Sequence, residues 1–509
     1  MTAIERSRVV AVVGTGTMGQ GIAQVALVAG HPVRLYDALP GRARQAAEAV
    51  GARLDRLTEK GRLDAAARDS AKARLLPAAD LSELADAALV VEAVLEQLAV
   101  KQELFTALED IVGDDCLLAT NTSSLSVTAV AGALRHPGRF VGLHFFNPAP
   151  LLPLVEVVSG HATDEATAAR AWATAAAWGK TPVRCADTPG FVVNRVARPY
   201  YAEALRLHEE RAADPATIDA VLRECGGFRM GPFELTDLIG QDVNEAVTRS
   251  VWESFFQDAG FTPSLAQRRL VESGRLGRKS GRGWFGYEDG APAPVPDTAP
   301  PAEPPSSVVV HGELFAAAAL PELIEEAGID VIRKEGALPG RPGWLELPCG
   351  TRLFLTDGKA ADSSSVPLIH FDLALDYRTA TRIALAPSAT VAEKSVRAAV
   401  GLFQALGKQV SVIADVPGMI VGRTVAMLVD FALDAEARGV ASAEDIDTAM
   451  RLGVNYPRGP LDWGAELGAG RTLHLLERLH EEYPSGRYAA SQALRRRAAA
   501  EAASEGAGS

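Results

Sequence analysis

RVVAVVGTGTMGQGIAQVALVAGHPVRLYD, residues 8–37, decides how the chain begins to fold. The β-branched run RVVAVV (8–13) ends at Gly14, and MGQGIAQVALVAG beyond it has apolar residues at helical spacing. A second run, PVRLYD (32–37), ends in an acid. Strand, glycine turn, helix, strand and acid, in that order, give Gly14-x-Gly16-x-x-Gly19 the context of a dinucleotide cradle; out of context it is also the glycine turn of many unrelated α/β proteins. Gly14 permits the tight turn, Gly16 lets the backbone approach a pyrophosphate on the helix's positive end, and Gly19 allows close helix–strand packing. Thr17 and Met18 lie within the same loop. Asp37, eighteen residues past the last glycine, is placed to accept hydrogen bonds from the adenosine ribose, which favours NAD over NADP.

Further strand-like runs at 88–94, 116–119, 139–145 and 153–158 alternate with helical segments, so residues 1–187 read as a Rossmann-type α/β domain with a mainly parallel sheet. From 188 to 289 the pattern is helical, punctuated by Asp214-Pro215 and Gly226-Gly227, and implies a separate all-α domain. Residues 290–306, dominated by Pro and Ala, read as an extended linker. Short strand-like pieces over 307–390 suggest a small α/β insert, either a degenerate Rossmann remnant or unrelated. LIHFDLALDYRTATRIALAP there faintly echoes FVGLHFFNPAPLLPLVEVVS. GKTPVRCADTPGFVVNR (179–195) aligns with GKQVSVIADVPGMIVGR (407–423) at an offset of 228, and the ungapped match extends to residue 235 with 16 of 57 positions identical. The all-α domain is therefore expected twice, the second copy over 391–485, before a fraying tail at 486–509. In that copy Asn194, Glu234 and Asp237 become Gly422, Asp462 and Ala465, with no glycine loop and no His–Glu pair, so it is read as non-catalytic.

A chain of 509 residues needs several cores. Its net charge of −13 argues against a nucleic-acid partner. Cys116, Cys185, Cys225 and Cys349 have no metal-like spacing, so buried reduced thiols are expected, with no metal site. No apolar run reaches the ~18–20 residues of a membrane span. The N-terminus passes directly into strand and glycine loop, without a signal peptide or an upstream hydratase domain; the expected location is the cytoplasm.

The polar residues Asn121-Thr122-Ser123-Ser124, His144, Glu156 and Asn194 each stand at the edge of a recognisable element. Two neighbouring strands joined by a turn would bring Glu156 to His144. A carboxylate there fixes the imidazole tautomer as a base requires, or simply ties two strands together. Asn121, Thr122 and Ser124 also suit helix caps before SVTAVAGAL.

Together GTGTMGQGIA, VVEAVLEQLAVKQELF, NTSSLSVT, RFVGLHFFNPAP, LVEVV, DTPGFVVNR, MGPFELTDLIG and GRKSGRGWFGY closely resemble the L-3-hydroxyacyl-CoA dehydrogenase family over residues 8–287. The resemblance implies NAD-dependent oxidation of an (S)-3-hydroxyacyl-CoA to the 3-oxoacyl-CoA, within fatty-acid metabolism or phenylacetate catabolism. The implied substrates are short: 3-hydroxybutyryl-CoA or 3-hydroxyadipyl-CoA. It implies His144 as base with Glu156 as partner, Ser123 and Asn194 holding the substrate oxygen and thioester, and Glu96, Lys101 and Asn147 around the nicotinamide half of NAD. Lys60 matches a CoA-contacting lysine, and Arg53 stands at a CoA-contacting position that is usually small and polar, so that contact is altered; the alternative for both is a solvated helix face. Short members dimerise through their helical domains, so a homodimer or a pseudo-dimeric monomer is expected. The competing readings are a CoA-independent β-hydroxyacid dehydrogenase, which uses a lysine, and a non-catalytic relative.

Overall fold

The computed structural model describes residues 2–335 and 342–507; Met1, residues 336–341 of the expected insert and residues 508–509 of the expected tail lie outside the described residues. The chain divides into one unit of Met1–Arg195 with Ala435–Val454, and another of Val196–Asp434 with Asn455–Ser509.

In the first unit β1 (Val9–Val13), β2 (Val33–Tyr36), β3 (Leu75–Pro77), β4 (Ala87–Glu92), β5 (Leu117–Thr120), β6 (Phe140–Phe145), β7 (Leu154–Ser159) and β8 (Thr181–Ala186) form a sheet ordered β3-β2-β1-β4-β5-β6-β7-β8. Neighbours are parallel except β6 and β7, which are antiparallel. β4 is buried along its whole length, as a parallel strand covered on both faces must be. Val10, Val12, Ile22, Leu27, Val33, Leu35, Val50 and Leu54 are fully buried in the core around this sheet, each contributing about 1.5–3 kcal/mol. The strand order reverses at β1, so the carboxyl ends of β1 and β4 bound a crevice. The four further strands expected from sequence are β4 to β7. β3, with three residues and a proline, and β8, with Arg184 exposed, carry too weak a pattern to be read in advance.

The second unit begins with the helices Arg198–Glu209, Pro215–Glu224, Pro232–Ile239, Gln241–Ser254 and Leu265–Glu272. The linker is not loose, because Ala299 N–H donates to Val410 O at 2.8 Å. β9 (Ser307–His311), β10 (Asp330–Lys334), β11 (Trp344–Glu346), β12 (Arg352–Leu355), β13 (Leu368–Phe371), β14 (Arg382–Pro387) and β15 (Gln409–Val412) then form a second sheet, ordered β10-β9-β11-β12-β13-β14-β15. The α/β insert expected here is thus a seven-stranded sheet, and the region after the N-terminal domain is not an all-α domain simply present twice. The sheet also runs past residue 390 to Val412, because β15 (QVSV) pairs in parallel with β14 as its edge strand. Helices resume at Val421–Ala437, Ala443–Gly453, Pro460–Leu467 and Ala469–Glu482. The expected fraying tail is instead a helix, Gln492–Ala507. Leu494 and Ala498 are buried with Leu475, Leu476 and Leu479, and Glu501 caps Ala469 N–H at 2.7 Å.

The offset of 228 reaches well beyond the segment where sequence identity shows it. β6, β7 and β8 correspond to β13, β14 and β15, and the helix Pro215–Glu224 to Ala443–Gly453. Pairing register is kept: Gly142↔Val158 in one sheet, His370↔Ala386 in the other. Left-handed residues also recur, Gly190 and Phe191 (φ 76°, 50°) against Gly418 and Met419 (φ 75°, 52°). Packing is exchanged, however. Ala443–Gly453 packs on β7 and β8 in the first unit, while Pro215–Glu224 packs on β14 in the second.

A buried ionic cluster ties the second unit together. Glu203, Arg423 and Arg487 have fully buried side chains; Arg423 Nε and Tyr488 OH donate to Glu203 Oε2 at 2.7 and 2.8 Å, and Arg487 Nε to Oε1 at 2.9 Å. Arg423 also forks onto Glu210 at 2.7 and 2.9 Å. Burial raises the Glu203 carboxyl, but Arg487 and Arg423 outweigh it and hold it down at about 2. Glu203→Gln is expected to cost about 3–5 kcal/mol near neutral pH, read from urea midpoints, by leaving buried guanidinium charge uncompensated. Because the folded value lies below the unfolded ~4.3, the ionic contribution is full above that pH and is lost as pH falls through about 2. The gap between wild type and variant should therefore shrink in acid.

Candidate active site

The glycine loop closes the carboxyl end of β1. Gly14 has φ +95°, and a Cβ there would lie 2.4 Å from Ala93 O; at Gly19 a Cβ would lie 1.8 Å from Gly14 O. At Gly16 nothing stands within 4 Å, so that side is open for a ligand. The helix Thr17–Ala29 starts at Gly16 with no side-chain cap, leaving its first N–H groups for a pyrophosphate. Asp37, at the end of β2, accepts Thr15 N–H at 3.1 Å and Thr15 O–H at 2.6 Å on one oxygen, and Leu39 N–H at 3.0 Å on the other. A carboxylate offers about four acceptor sites, so one remains for a ribose hydroxyl. Burial raises the Asp37 carboxyl, but these hydrogen bonds prevail and hold it below its ordinary value, charged at neutral pH. The residues present fit NAD.

Across the crevice, Glu96 organises the loop after β5. Its Oε1 accepts Thr122 Oγ1 at 2.5 Å, Ser123 N–H at 3.1 Å, and Ser124 N–H and O–H at 3.2 and 2.9 Å. These bonds use the hydroxyls of Thr122 and Ser124 but not that of Ser123. Lys101, 1% exposed, reaches Glu96 at 3.2 Å and Glu92 at 2.6 Å. Burial works to raise the Glu96 carboxyl, and Lys101, Thr122 and Ser124 together bring it below its ordinary value. The helix-cap alternative for this segment is not realised: the helix Val127–Ala131 is capped by Ser126, while Asn121 Oδ1 accepts Phe145 N–H at 2.9 Å.

That bond fastens the loop beside His144. His144 and Glu156 are direct cross-strand partners on β6 and β7, 5% and 0% exposed. His144 Nδ1–H donates to Glu156 Oε2 at 2.7 Å, so the lone pair sits on Nε2. Phe146 and Phe191 flank the ring at 4.5 and 5.7 Å between centroids. The other Glu156 oxygen accepts the N–H groups of Val192 and Val193 at 3.0 and 2.9 Å, fixing the start of the helix Val193–Val196 that carries Asn194. Both readings of the His–Glu pair hold at once: it ties strands and it sets the tautomer.

The remaining expected residues are more scattered. Asn147 precedes Pro148 through a cis bond just beyond β6. Arg53 donates to Gln20 Oε1 at 2.9 Å, and Gln20 in turn to Thr15 O at 2.8 Å, so Arg53 is linked to the glycine loop. Lys60, at the end of the helix Arg42–Glu59, is exposed. Cys349 is exposed rather than buried, while Cys116, Cys185 and Cys225 are buried free thiols. Among the described residues no group of His, Cys, Asp and Glu could hold a metal. Sequence reading missed Glu92, fully buried and bonded to Lys101 and to Thr120 Oγ1 at 2.6 Å. A lone acid ending the apolar run ALVVE was the available signal.

An open dinucleotide crevice beside an imidazole locked by a carboxylate defines a nicotinamide-dependent dehydrogenase acting on a hydroxyl. Family comparisons agree. The NAD-binding domain of 3-hydroxyacyl-CoA dehydrogenase matches residues 9–188, and its C-terminal domain matches 190–287 and 418–509. The reduced Rossmann-fold domain of 3-hydroxybutyryl-CoA dehydrogenase matches 353–417. A 3-hydroxyadipyl-CoA dehydrogenase of Escherichia coli (strain K12) is 45% identical over 97% of this chain and 98% of its own. A 3-hydroxybutyryl-CoA dehydrogenase of Mycobacterium tuberculosis is 41% identical over 55% of this chain and 98% of its own. The crystal structure of a 3-hydroxybutyryl-CoA dehydrogenase from Escherichia coli K12 superposes with TM-score 0.89 at 43% identity, covering 98% of this chain and 99% of that one. The chain belongs to the 3-hydroxyacyl-CoA dehydrogenase family, as an NAD-dependent oxidoreductase.

Gly19→Ala is expected to weaken NADH binding at least about tenfold by calorimetry, because the added methyl must displace the Gly14 carbonyl. Asp37→Ala should weaken NADH by about tenfold and narrow the preference over NADPH, since a charge-assisted bond to the ribose is lost and repulsion of a phosphate is relieved.

Proposed function

We propose that the chain oxidises the 3-hydroxyl of a short (S)-3-hydroxyacyl-CoA, with His144 as general base. The observation that carries this is the 2.7 Å bond from His144 Nδ1 to Glu156, which leaves Nε2 as the proton acceptor. NAD, when bound on the glycine loop, supplies the hydride acceptor. His144 Nε2 takes the hydroxyl proton as the C3–H bond breaks, and Glu156 stabilises the imidazolium that results. The Ser123 hydroxyl and the Asn194 amide hold the substrate's oxygen and thioester, and their dipoles oppose charge developing there. Glu96 and Lys101 position the Ser123 loop beside the nicotinamide, with Asn147 nearby, and Phe146 and Phe191 limit water around the base. Arg53 and Lys60 are the basic residues offered to the CoA phosphates. The name of the full-length Escherichia coli relative supports a six-carbon dicarboxylic acyl group. The names of the shorter relatives support a 3-hydroxybutyryl group.

The same proposal makes the chain its own dimer partner. Element starts that match at an offset of 228, and exchange of the equivalent helices between the two sheets, support a duplicated half whose copies complete each other. One catalytic centre per chain follows, because Asp372 stands at the place of His144 and Ala384 at that of Glu156. No helix among the described residues is long and apolar enough to cross a membrane, and the free thiols fit a reducing cytoplasm.

Production of NADH from 3-hydroxybutyryl-CoA and 3-hydroxyadipyl-CoA, followed by absorbance, tests the reaction. His144→Ala should lower kcat by about 10²–10⁴ with NADH affinity retained. Glu156→Gln should also lower kcat and displace the pH profile. Turnover that survives His144→Ala would overturn the assignment of the base. Light scattering should give the mass of a single chain; a stable dimer would mean that the duplicated half does not replace a partner.

A further inference from the structure

Two carboxylates share one ammonium at the carboxyl ends of β4 and β5, and the proposed reaction gives the inner one no part. Glu92, the last residue of β4, is fully buried. Its Oε1 accepts Lys101 Nζ and Val94 N–H, both at 2.6 Å, and its Oε2 accepts Thr120 O–H at 2.6 Å. Every partner donates, as an ionised carboxylate requires. Thr120 Oγ1 accepts Thr122 N–H at 3.3 Å, and the Glu92 carbonyl accepts Asn121 N–H at 2.8 Å. One residue thus ties β4 to the loop that carries Ser123. Lys101, on the helix Leu98–Glu109, is held between this carboxylate and Glu96 Oε2 at 3.2 Å. Among the described residues it is the one cation in contact with either acid. The trio therefore carries one negative charge in excess.

Asp37 marks the adenosine end of the crevice, beyond β2. A dinucleotide lying across the reversal of strand order puts its other half over β4 and β5, where the trio stands. The Glu96 side chain, 38% exposed, meets the crevice, whereas Glu92 at 0% cannot touch a ligand. An oxidised nicotinamide carries a positive charge that the reduced ring lacks. Charges in a partly buried site feel one another more strongly than in water.

We propose that Glu92 is a positioning residue that sets the balance between the two forms of the cofactor. With Lys101 and Glu96 it keeps an excess negative charge beside the nicotinamide, which favours NAD⁺ over NADH. This rests on the reading above that places the nicotinamide beside the Ser123 loop. Without Glu92, Lys101 would cancel Glu96, and the charge of the oxidised ring would have no counterpart in the trio. Arrival of the hydride removes the ring charge that the trio attracts, so the reduced product is held less firmly than the reactant.

Calorimetry on the full chain measures Kd for NAD⁺ and for NADH. Glu92→Gln and Glu96→Gln each remove one charge, from opposite sides of Lys101. Both are expected to weaken NAD⁺ relative to NADH by about fivefold or more. Glu92→Asp keeps the charge and is expected to keep the wild-type ratio, whatever it does to either affinity. A packing role alone would weaken both forms alike, so an equal loss of both affinities in folded Glu92→Gln, or no loss, overturns the proposal. Should Glu92→Gln fail to fold by circular dichroism, Glu96→Asp compared with Glu96→Gln decides. A ratio that shifts in both of these, or in neither, overturns it. Failure of the hydroxyacyl-CoA reading shows separately, as absent NADH production from 3-hydroxybutyryl-CoA by a chain whose two cofactor affinities still decide the charge effect.

Discussion

A buried carboxylate must have partners, and Glu156 has all of its partners within the site. One oxygen holds the His144 imidazole, and the other holds the N–H groups of Val192 and Val193. The same side chain thereby fixes the tautomer of His144, the pairing of β6 with β7, and the start of the helix bearing Asn194. Its location on a sheet, rather than a loop, holds the imidazole rigidly.

The equivalent place in the second sheet shows what survives where the His–Glu pair is absent. Asp372 occupies the position of His144, and its carboxylate takes the N–H groups of Ile420, Val421 and Gly422 at 2.8–3.0 Å. The helix start is still held by an acid, now from the neighbouring strand, while Ala384 fills the place of Glu156. Burial raises the Asp372 carboxyl to about 6 despite those donors, which marks it as a structural anchor in a dry interior. The cap is kept and the imidazole is gone.

Much of the catalytic set was legible because short-range rules govern it. The glycine loop and Asp37 lie within one strand–helix–strand passage, where hydrogen bonding and steric closeness depend on neighbours in sequence. His144 and Glu156 stand on adjacent antiparallel strands, so their spacing alone allowed a contact; the pairing register made it certain. Other features gave no local signal. The last helix has a weakly amphipathic, charged sequence whose burial depends on Leu475, Leu476 and Leu479.

By itself the sequence determined the glycine loop, the strand–helix alternation of the first sheet, the spacing that lets Glu156 meet His144, and the offset of the repeat, because each depends on patterns a few residues long or on identity at a constant offset. Only the tertiary structure decided that the strands of the insert join β14 and β15 in one seven-stranded sheet. It alone decided that the equivalent helices Pro215–Glu224 and Ala443–Gly453 pack on exchanged sheets. Apolar helix faces specify that they must be covered but not by which surface, since the hydrophobic effect has no direction and the choice belongs to the whole chain.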